Sequence, residues 1–310
     1  MNDLRYSQTI INTALLCLTF LLISACDNKT SEYKGPQYAT APDKDATIIY
    51  RLAIHPLHNP KKLIQAYQPL INYLNSNLDD IVFELEASRD YQAYEAKFRA
   101  REPEFILPNP WQTLEAIKVG YNVIAMAGDA EDFKGIFIIR KDNPIRKISD
   151  LKGKVLSYPS QTALAASIMP QYFLHTNGIN VNKDIENKYV GSQESAIMNT
   201  YLKQSDVGVT WPPPWRLFQK HHPKEASELM LIWETPPLMN NSIMVRDDVP
   251  VAIYKKVQQL LIDLGHKQTH QATLDSMSTS KFFIATNASY LPVKTFIEHF
   301  ENEVRPVEQK

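Results

Sequence analysis

The sequence predicts an α/β protein made of two successive α/β units followed by a helical tail. Short apolar alternations, typical of strands, take turns with stretches in which apolar residues recur three and four positions apart, as on amphipathic helices. The same strand–helix order begins again after Arg140. The C-terminal part has three helical patterns, Pro250–Leu264, Gln271–Met277 and Val293–Glu303. Alternation of this kind favours a largely parallel sheet.

The first unit begins near Thr47. Its predicted strands are Ile48–Ile54, Ile81–Leu85, Phe105–Leu107, Val123–Met126 and Ile136–Arg140. Its predicted helices are Leu63–Leu74, which contains Pro69 and should kink there, a helix from Asp90 with Tyr91, Tyr94 and Phe98 on one face, and Trp111–Val119.

The second unit repeats the pattern. Its predicted strands are Val155–Ser157, Tyr189–Val190, Val207–Val209, Leu231–Trp233 and Ser242–Val245. Its predicted helices are Thr162–Thr176, closed by Asn177-Gly178, and Glu194–Lys203.

Residues 1–25 have the pattern of a secretion signal. The apolar run Ala14–Ile23 is too short for a membrane span, which needs roughly 20 residues, but it suits the core of a signal peptide. The run closes on Leu22-Ile23-Ser24-Ala25-Cys26, which resembles a lipobox. We therefore expect Cys26 to carry a lipid and to become the new amino terminus. The alternative is an ordinary secretory signal with an incidental cysteine.

The residues after the cysteine extend this interpretation. Asp27 resembles a signal for retention on the inner membrane, so we expect a lipid-anchored protein on the periplasmic side of the cell envelope. Residues 26–46 are mostly polar and are expected to form the anchor and a flexible tether.

Composition argues against several function classes. The formal net charge is −1, so no global positive field favours nucleic acid. The two cysteines, Cys17 and Cys26, both lie at the predicted leader, which leaves no disulfide, thiol nucleophile or thiolate metal site for the body. With 9 glycines the chain has no Gly-x-Gly-x-x-Gly, Walker or Gly-x-Ser-x-Gly motif. We expect no cofactor, no metal and no enzymatic activity.

Two α/β units in a secreted protein suggest a clamshell that holds its ligand between the lobes. The chain also resembles phosphate/phosphite/phosphonate-type periplasmic binding proteins. The resemblance runs from about Tyr50 to the C-terminus and rests on the order of several segments: Tyr67–Leu74, Asp90-Tyr91, Leu107-Pro108-Asn109-Pro110, Ile148–Lys154, Ser160–Ala163, Gly191–Ala196 and Arg246–Pro250.

The resemblance implies a type II periplasmic-binding-protein clamshell, with two α/β lobes joined by a two-strand hinge. Lobe one would comprise residues 47–140 plus 240–310, and lobe two residues 141–239. The family supplies the solute receptor of ABC uptake systems. The resemblance therefore implies a monomeric receptor that delivers a small molecule to an ABC permease. A sensory or regulatory lipoprotein, which would signal ligand binding to a membrane partner, is the alternative.

Some candidate ligand-binding residues follow from the resemblance. Ser160, Gln161 and Thr162 stand in place of a Ser-Thr-Ser-Gly phosphonate cradle, and Gln193 replaces the family histidine. Tyr91 sits at the ligand-facing start of a helix, although a tyrosine stripe is equally typical of a core. These departures leave a phosphonate-like ligand open but favour another ligand class.

Aromatic residues and a histidine complete the candidate set. Trp211 and Trp215 flank a proline run and could form an aromatic wall for a flat ring or a cation, or could simply pack the lobe interface. Trp111 lies near the predicted edge of the cleft, with the same two alternatives. His55 follows the first strand and is predicted to make a polar loop contact at the cleft.

Overall fold

The computed structural model describes residues 47–308, and these form one compact unit. The predicted signal sequence 1–25, the lipidation site Cys26 and the tether to residue 46 lie outside the described residues. Among residues 47–308, no helix combines the length and apolar character that a membrane span requires.

Six strands form the first sheet, in the order β11-β4-β10-β3-β1-β2. Their bounds are β1 Ile48–Ile54, β2 Ile81–Glu86, β3 Phe105–Leu107, β4 Tyr121–Ala127, β10 Ser242–Arg246 and β11 Phe282–Ile284. Five strands form the second sheet, in the order β7-β6-β8-β5-β9. Their bounds are β5 Ile136–Arg140, β6 Val155–Tyr158, β7 Glu186–Tyr189, β8 Val207–Thr210 and β9 Leu229–Glu234.

Helices cover both sheets. Those of the first sheet are α1 Pro60–Asn75, α2 Tyr91–Arg99, α3 Pro110–Lys118, α8 Val251–Asp263, α9 Gln271–Ser276 and α10 Leu291–Glu303. Those of the second are α4 Met169–Thr176, α5 Gln193–Tyr201, α6 Pro212–His221 and α7 Pro223–Ser227. We call the first sheet with its helices lobe one and the second sheet with its helices lobe two. The predicted two-lobe α/β clamshell is confirmed.

Both sheets are mixed rather than largely parallel. Strand β1 runs parallel to β2 and β3, and β6 runs parallel to β7 and β8. The strands at the crossovers between the lobes, β4, β5, β9 and β10, pair antiparallel with their neighbours. The prediction of largely parallel sheets was wrong because these strands connect the two lobes, and no α-helix crossover sets their direction.

The chain passes between the lobes twice. It leaves lobe one after Ala127 and enters lobe two at Ile136, then leaves after Glu234 and returns at Ser242. Backbone hydrogen bonds join the two passages, from the Thr235 N–H to the Gly135 carbonyl at 2.9 Å among others.

The first passage comes earlier than the sequence predicts. Strand β5, residues 136–140, pairs with β8 and β9 of the second sheet, although the predicted boundary assigned it to lobe one. Its apolar pattern fits either sheet, and only long-range pairing decides between them. We therefore propose boundaries within the two passages instead of at residues 140 and 240.

The hydrophobic core of lobe one continues into the lobe interface. Lobe two has separate clusters around Phe137 and around Phe218. The lobe-one cluster, however, also takes in Trp211 and the apolar residues of the turn before α4, Leu164–Ile168. This turn is π-helical, so the predicted helix Thr162–Thr176 forms as a π-turn followed by α4. The lobes thus meet through packed side chains as well as polar contacts.

Candidate functional site

A cavity of about 550 Å³ lies between the two lobes. Four predicted site residues line it together: Tyr91, Ser160, Gln161 and Thr162. The other lining residues come from the start of α2, the end of β6, the end of β7 and the C-terminal segment, and they are Asp90, Gln92, Glu95, Pro159, Tyr189, Gly191, Val307 and Glu308. The loop Ser160–Thr162, which we call the cradle loop, and Tyr91 therefore line the same cavity.

Tyr91 and Gln193 meet across the lobes. Asp90 caps α2 by accepting a hydrogen bond from the Ala93 N–H at 2.8 Å, which places Tyr91 at the helix start. Gln193 opens α5 and donates through Nε2 to the Tyr91 hydroxyl at 3.2 Å. Its Oε1 accepts from the Thr210 hydroxyl at 2.8 Å. Because Gln193 is only 2% exposed, this chain of hydrogen bonds satisfies a buried amide.

The cradle loop is bonded to a carboxylate that the sequence analysis did not single out. The Thr162 hydroxyl donates to Glu95 Oε1 at 2.6 Å. Since the hydrogen of Thr162 is used in this way, the Ser160 hydroxyl is the donor in its 3.1 Å contact with Thr162 Oγ1. Two consecutive hydrogen bonds thus connect Ser160 to Thr162 and Thr162 to Glu95.

Asn109 and Gln112 close a ring of hydrogen bonds around this contact. The two form a capping box at the start of α3. Asn109 Nδ2 donates to the Thr162 carbonyl at 3.0 Å, and Gln112 Nε2 donates to Glu95 Oε1 at 2.9 Å. The backbone and side chain of Thr162 are therefore both held by lobe one.

Glu95 is a buried acid without an ion-pair partner within 4 Å among the described residues. Burial raises the pKa of Glu95 above its ordinary value, and the hydrogen bonds from Thr162 and Gln112 oppose that rise. Two neighbours, Arg99 and Glu308, pair with each other at 2.7 Å. The carboxylate is therefore held mainly by neutral donors.

His55 lies beneath the cavity rather than on its wall. It is 2% exposed, its ring lies 6.2 Å from that of Tyr91, and its Nδ1 is 2.9 Å from the Leu107 carbonyl oxygen. Burial lowers the pKa of His55 to about 4, so the ring is neutral at pH 7 and donates from Nδ1. The predicted polar loop contact of His55 is thus made with the protein's own backbone.

The tryptophans do not join this cavity. Trp111 is buried in the core of lobe one. Trp211 packs against Phe133 with ring centroids 5.4 Å apart, and Trp215 stacks on Phe218 at 5.9 Å. Trp211 and Trp215 line other clefts of the described structure, so their part in ligand binding stays a prediction.

Comparison with known proteins identifies the family. A family model for the ABC transporter, phosphonate, periplasmic substrate-binding protein matches residues 52–290. The chain belongs to this family. The probable ABC transporter phosphite binding protein PhnD1 of Prochlorococcus marinus is 26% identical to it over 181 residues. That match covers 54% of this chain and 61% of the relative, less than two thirds of the relative's length.

Solved structures of phosphonate-family binding proteins share the fold. A binding protein component of an ABC phosphonate transporter from Pseudomonas aeruginosa superposes with a TM-score of 0.76 at 15% identity, covering 83% of this chain and 88% of that chain. PhnD1 from Prochlorococcus marinus in complex with methylphosphonate superposes with a TM-score of 0.73 at 20% identity, covering 83% and 99%.

This member of the phosphonate-binding family has a further polar contact between its lobes, away from the cavity. Lys62 on α1 reaches Glu194 on α5, with its Nζ 2.8 Å from both carboxylate oxygens. His222 Nε2 lies 2.9 Å from Glu194 Oε1. The family resemblance does not predict this pair, because Lys62 and Glu194 are 132 residues apart in the sequence.

A C-terminal segment also joins the lobes of this family member. After α10, Arg305 donates from Nε to Gln171 Oε1 at 2.9 Å and from a terminal nitrogen to the Gln161 carbonyl at 3.2 Å. The next residues, Val307 and Glu308, form part of the cavity wall. The sequence offered only a helical tail here, so this role was not predictable from pattern.

Proposed function

We propose that the chain is the solute-binding lipoprotein of an ABC-type uptake system and captures a small molecule between its lobes. The observation that carries the proposal is the cavity of about 550 Å³, whose walls come from both lobes of a phosphonate-family clamshell. A cavity of this size lies within the range typical of small-molecule sites.

Closure of the lobes is the proposed working step. Glu95 and Thr162 belong to different lobes, as do Tyr91 and Gln193, so their hydrogen bonds require the lobes to be close together. A solute that contacts both lobes favours that arrangement by its differential affinity for it. A permease could then recognise the closed receptor by its surface.

We propose that the protein binds its solute without catalysing a reaction. The two hydroxyls of the cradle donate within the protein, and the nearby His55 is bonded to the Leu107 carbonyl instead of to a serine. The base in contact with the Thr162 hydroxyl is Glu95, and we propose that this contact serves as a hydrogen bond between the lobes.

The proposed location is the periplasmic face of the envelope. Its support is the sequence of residues 1–27: the apolar run, the lipobox-like segment and Asp27. We propose lipidation at Cys26 and a monomeric receptor. Labelling with radioactive palmitate in cells should mark the wild type and not Cys26→Ser, and light scattering on the purified protein should give the monomer mass.

Thermal shift of the full-length protein in detergent tests solute binding. The panel comprises phosphate, phosphite, alkylphosphonates, amino acids, quaternary amines, polyamines and nucleobases. A solute at a hundred times its dissociation constant should add about 2.7 kcal/mol to the free energy of unfolding. Silence across the whole panel contradicts the proposal. The sensory alternative predicts binding that leaves the ATPase activity of a reconstituted cognate permease unchanged, whereas uptake predicts stimulation.

A further inference from the structure

Arg305 lies against the cradle loop without lining the cavity. One terminal nitrogen donates to the Gln161 carbonyl at 3.2 Å, and Nε donates to Gln171 Oε1 at 2.9 Å. The other terminal nitrogen donates to the carbonyls of Pro306 and Val307 at 2.8 and 3.2 Å. All four acceptors are neutral, so the guanidinium brings an uncompensated positive charge to the loop.

No carboxylate of residues 47–308 forms an ion pair with Arg305. Burial lowers the pKa of Arg305, but a guanidinium stays charged at neutral pH. The side chain is partly buried, and a charge withdrawn from water is costly without a partner of opposite sign. An anion bound on the cavity side of the cradle loop would reduce that cost.

The peptide group between Gln161 and Thr162 connects Arg305 to the cavity wall. A trans peptide group is planar, and its C=O and N–H bonds point in opposite directions. Arg305 contacts the carbonyl end, and the Thr162 N–H at the other end is directed at Ser160 Oγ, 3.3 Å away on the cavity wall. A cation at the carbonyl end polarises the group and strengthens the N–H as a donor.

The cavity wall offers hydrogen-bond donors to an anion but no positive charge. The backbone N–H groups of Ser160 and Gln161 and the Gln161 side-chain amide have no acceptor among the described residues. The Tyr91 hydroxyl accepts from Gln193, and its own hydrogen likewise has no acceptor there. The described lining residues include no lysine, arginine or histidine. A cation that acts on this wall must therefore lie behind it.

Arg305 also offsets an acid that contacts the same loop. Two of the three acids on the cavity wall, Asp90 and Glu308, have arginine partners 3.0 and 2.7 Å away. Glu95 has no such partner in the described part of the chain and accepts a hydrogen bond from Thr162. Without the charge of Arg305, the negative charge of Glu95 would be uncompensated at the loop and would repel an anion.

We infer that Arg305 is a specificity-determining residue of the cavity, because its charge, acting through the Gln161–Thr162 peptide group, favours a solute with a tetrahedral oxyanion group over neutral and cationic solutes. The inference rests on the proposed function and assigns the charge preference of the same site to a residue outside the cavity wall. The oxyanion would accept hydrogen bonds from the free N–H groups of Ser160 and Gln161.

Isothermal titration of the full-length protein in detergent, with methylphosphonate and with phosphite, tests the inference. We expect at least one of these anions to bind the wild type. Arg305→Gln removes the charge but keeps an amide donor, and it should lower the affinity about tenfold. Arg305→Lys keeps the charge but not the planar fork of donors, and it should lower the affinity less than about threefold.

The pH dependence of binding separates a charge effect from simple anchoring of the C-terminal segment. Methylphosphonate gains its second negative charge as the pH rises through the neutral range. Arg305→Gln should therefore lower the affinity for methylphosphonate more strongly above neutral pH than below it. Loss of an anchor alone would lower the affinity by the same factor at both.

Arg146→Gln is the matched control. Arg146 is an exposed arginine of lobe two that donates to the backbone carbonyls of Asn143 and Ile145 and does not line the cavity. Its replacement makes the same charge change and should leave the anion affinity unchanged, since salt and water screen an exposed charge. Melting curves of all variants confirm that they fold.

The outcomes separate this inference from the proposed function. Anion binding that Arg305→Gln leaves unchanged overturns the inference, and so does an equal loss in Arg305→Gln and Arg305→Lys. A wild type that responds only to neutral or cationic members of the thermal-shift panel overturns the charge preference and leaves the solute receptor standing. Silence toward that whole panel overturns both.

Discussion

Thr162 donates its hydroxyl hydrogen to Glu95 across 2.6 Å, although the two residues lie on different lobes. The same threonine accepts a hydrogen bond at its carbonyl from Asn109 on lobe one. The loop that the sequence assigns to ligand binding is thus also the loop that holds lobe two against lobe one. We therefore expect variants at this position to affect lobe closure and, on the proposed function, solute binding as well.

Thr162→Val should destabilise the protein by about 1–3 kcal/mol. Valine keeps the shape of threonine but removes the donor, which leaves a buried carboxylate with one hydrogen bond fewer. Urea unfolding of the purified protein gives the difference. Thr295→Val on the exposed side of α10 is the matched control and should change the free energy of unfolding by less than about 0.5 kcal/mol. Equal effects of the two substitutions would contradict the assigned contact.

The pair Lys62–Glu194 should stabilise the contact between the lobes by about 0.5–1 kcal/mol. Both side chains are roughly a quarter exposed, so water screens the charges only in part. A double-mutant cycle with Lys62→Met and Glu194→Gln, followed by urea unfolding, measures the coupling. The cycle for Glu115 and Lys118, an exposed pair within α3, should give a smaller coupling. A coupling near zero for Lys62–Glu194 would argue against direct contact.

Acidification should destabilise the protein between about pH 6.5 and pH 4, in part through His55. Burial lowers its pKa to about 4 in the folded protein, while the unfolded chain keeps the ordinary value of about 6.5. Between these values the unfolded state binds more protons, so lowering the pH favours unfolding by up to roughly 3 kcal/mol for this residue. The pKa of His58 is lowered to about 4 as well, chiefly by burial, and acts in the same direction.

His55→Asn tests this pH dependence. The asparagine amide can replace Nδ1 as the donor to the Leu107 carbonyl but does not titrate in this range. Urea unfolding at several pH values should show a shallower loss of stability than in the wild type. His299→Asn, at an exposed position on α10, should leave the slope unchanged. An unchanged slope in His55→Asn would place the responsible group elsewhere.

Gly208→Ala should destabilise lobe two by about 1–3 kcal/mol. A β-carbon at this position of β8 would lie 2.5 Å from Thr200 Oγ1 and 2.7 Å from the Ala196 carbonyl oxygen, so α5 would have to move. Because α5 carries Gln193, solute affinity should fall as well. Gly178→Ala meets no atom within 4 Å, and its cost should come only from its backbone angle φ of 85°. Thermal unfolding and titration with a solute check both effects.

Sequence periodicity predicted the elements of the fold well but not all of their partners. Strand β1 forms at its predicted bounds, although Ile48 is exposed and Ala53 is buried, so its burial does not alternate throughout. The helical stripe beginning at Tyr91 appears in the structure. Strand β5 pairs within the second sheet, although the predicted boundary placed residues 47–140 in lobe one, because the four apolar residues of Ile136–Arg140 fit either sheet. Pairing across dozens of residues depends on the folded topology, which local patterns do not encode.

The candidate site, like the fold, was predicted only in part. Tyr91, Ser160 and Thr162 were predicted through a family resemblance and line one cavity. Glu95 was missed, although it lies four residues after Tyr91 and therefore on the same helical face. Attention to carboxylates on that face would have found it. Its partner Thr162 is 67 residues away, a separation at which no local spacing rule applies.

The C-terminal segment also joins the lobes, in addition to the two chain passages and the side-chain contacts described above. Arg305 donates hydrogen bonds to Gln171 and to the Gln161 carbonyl on lobe two. Val307 and Glu308, which follow it, line one side of the cavity. On the proposed function, a solute leaving by that side would have to displace this segment. On the proposed function, the residence time of a bound solute would depend on the hydrogen bonds of Arg305, and removing residues 305–308 should speed exchange while leaving the hinge unchanged.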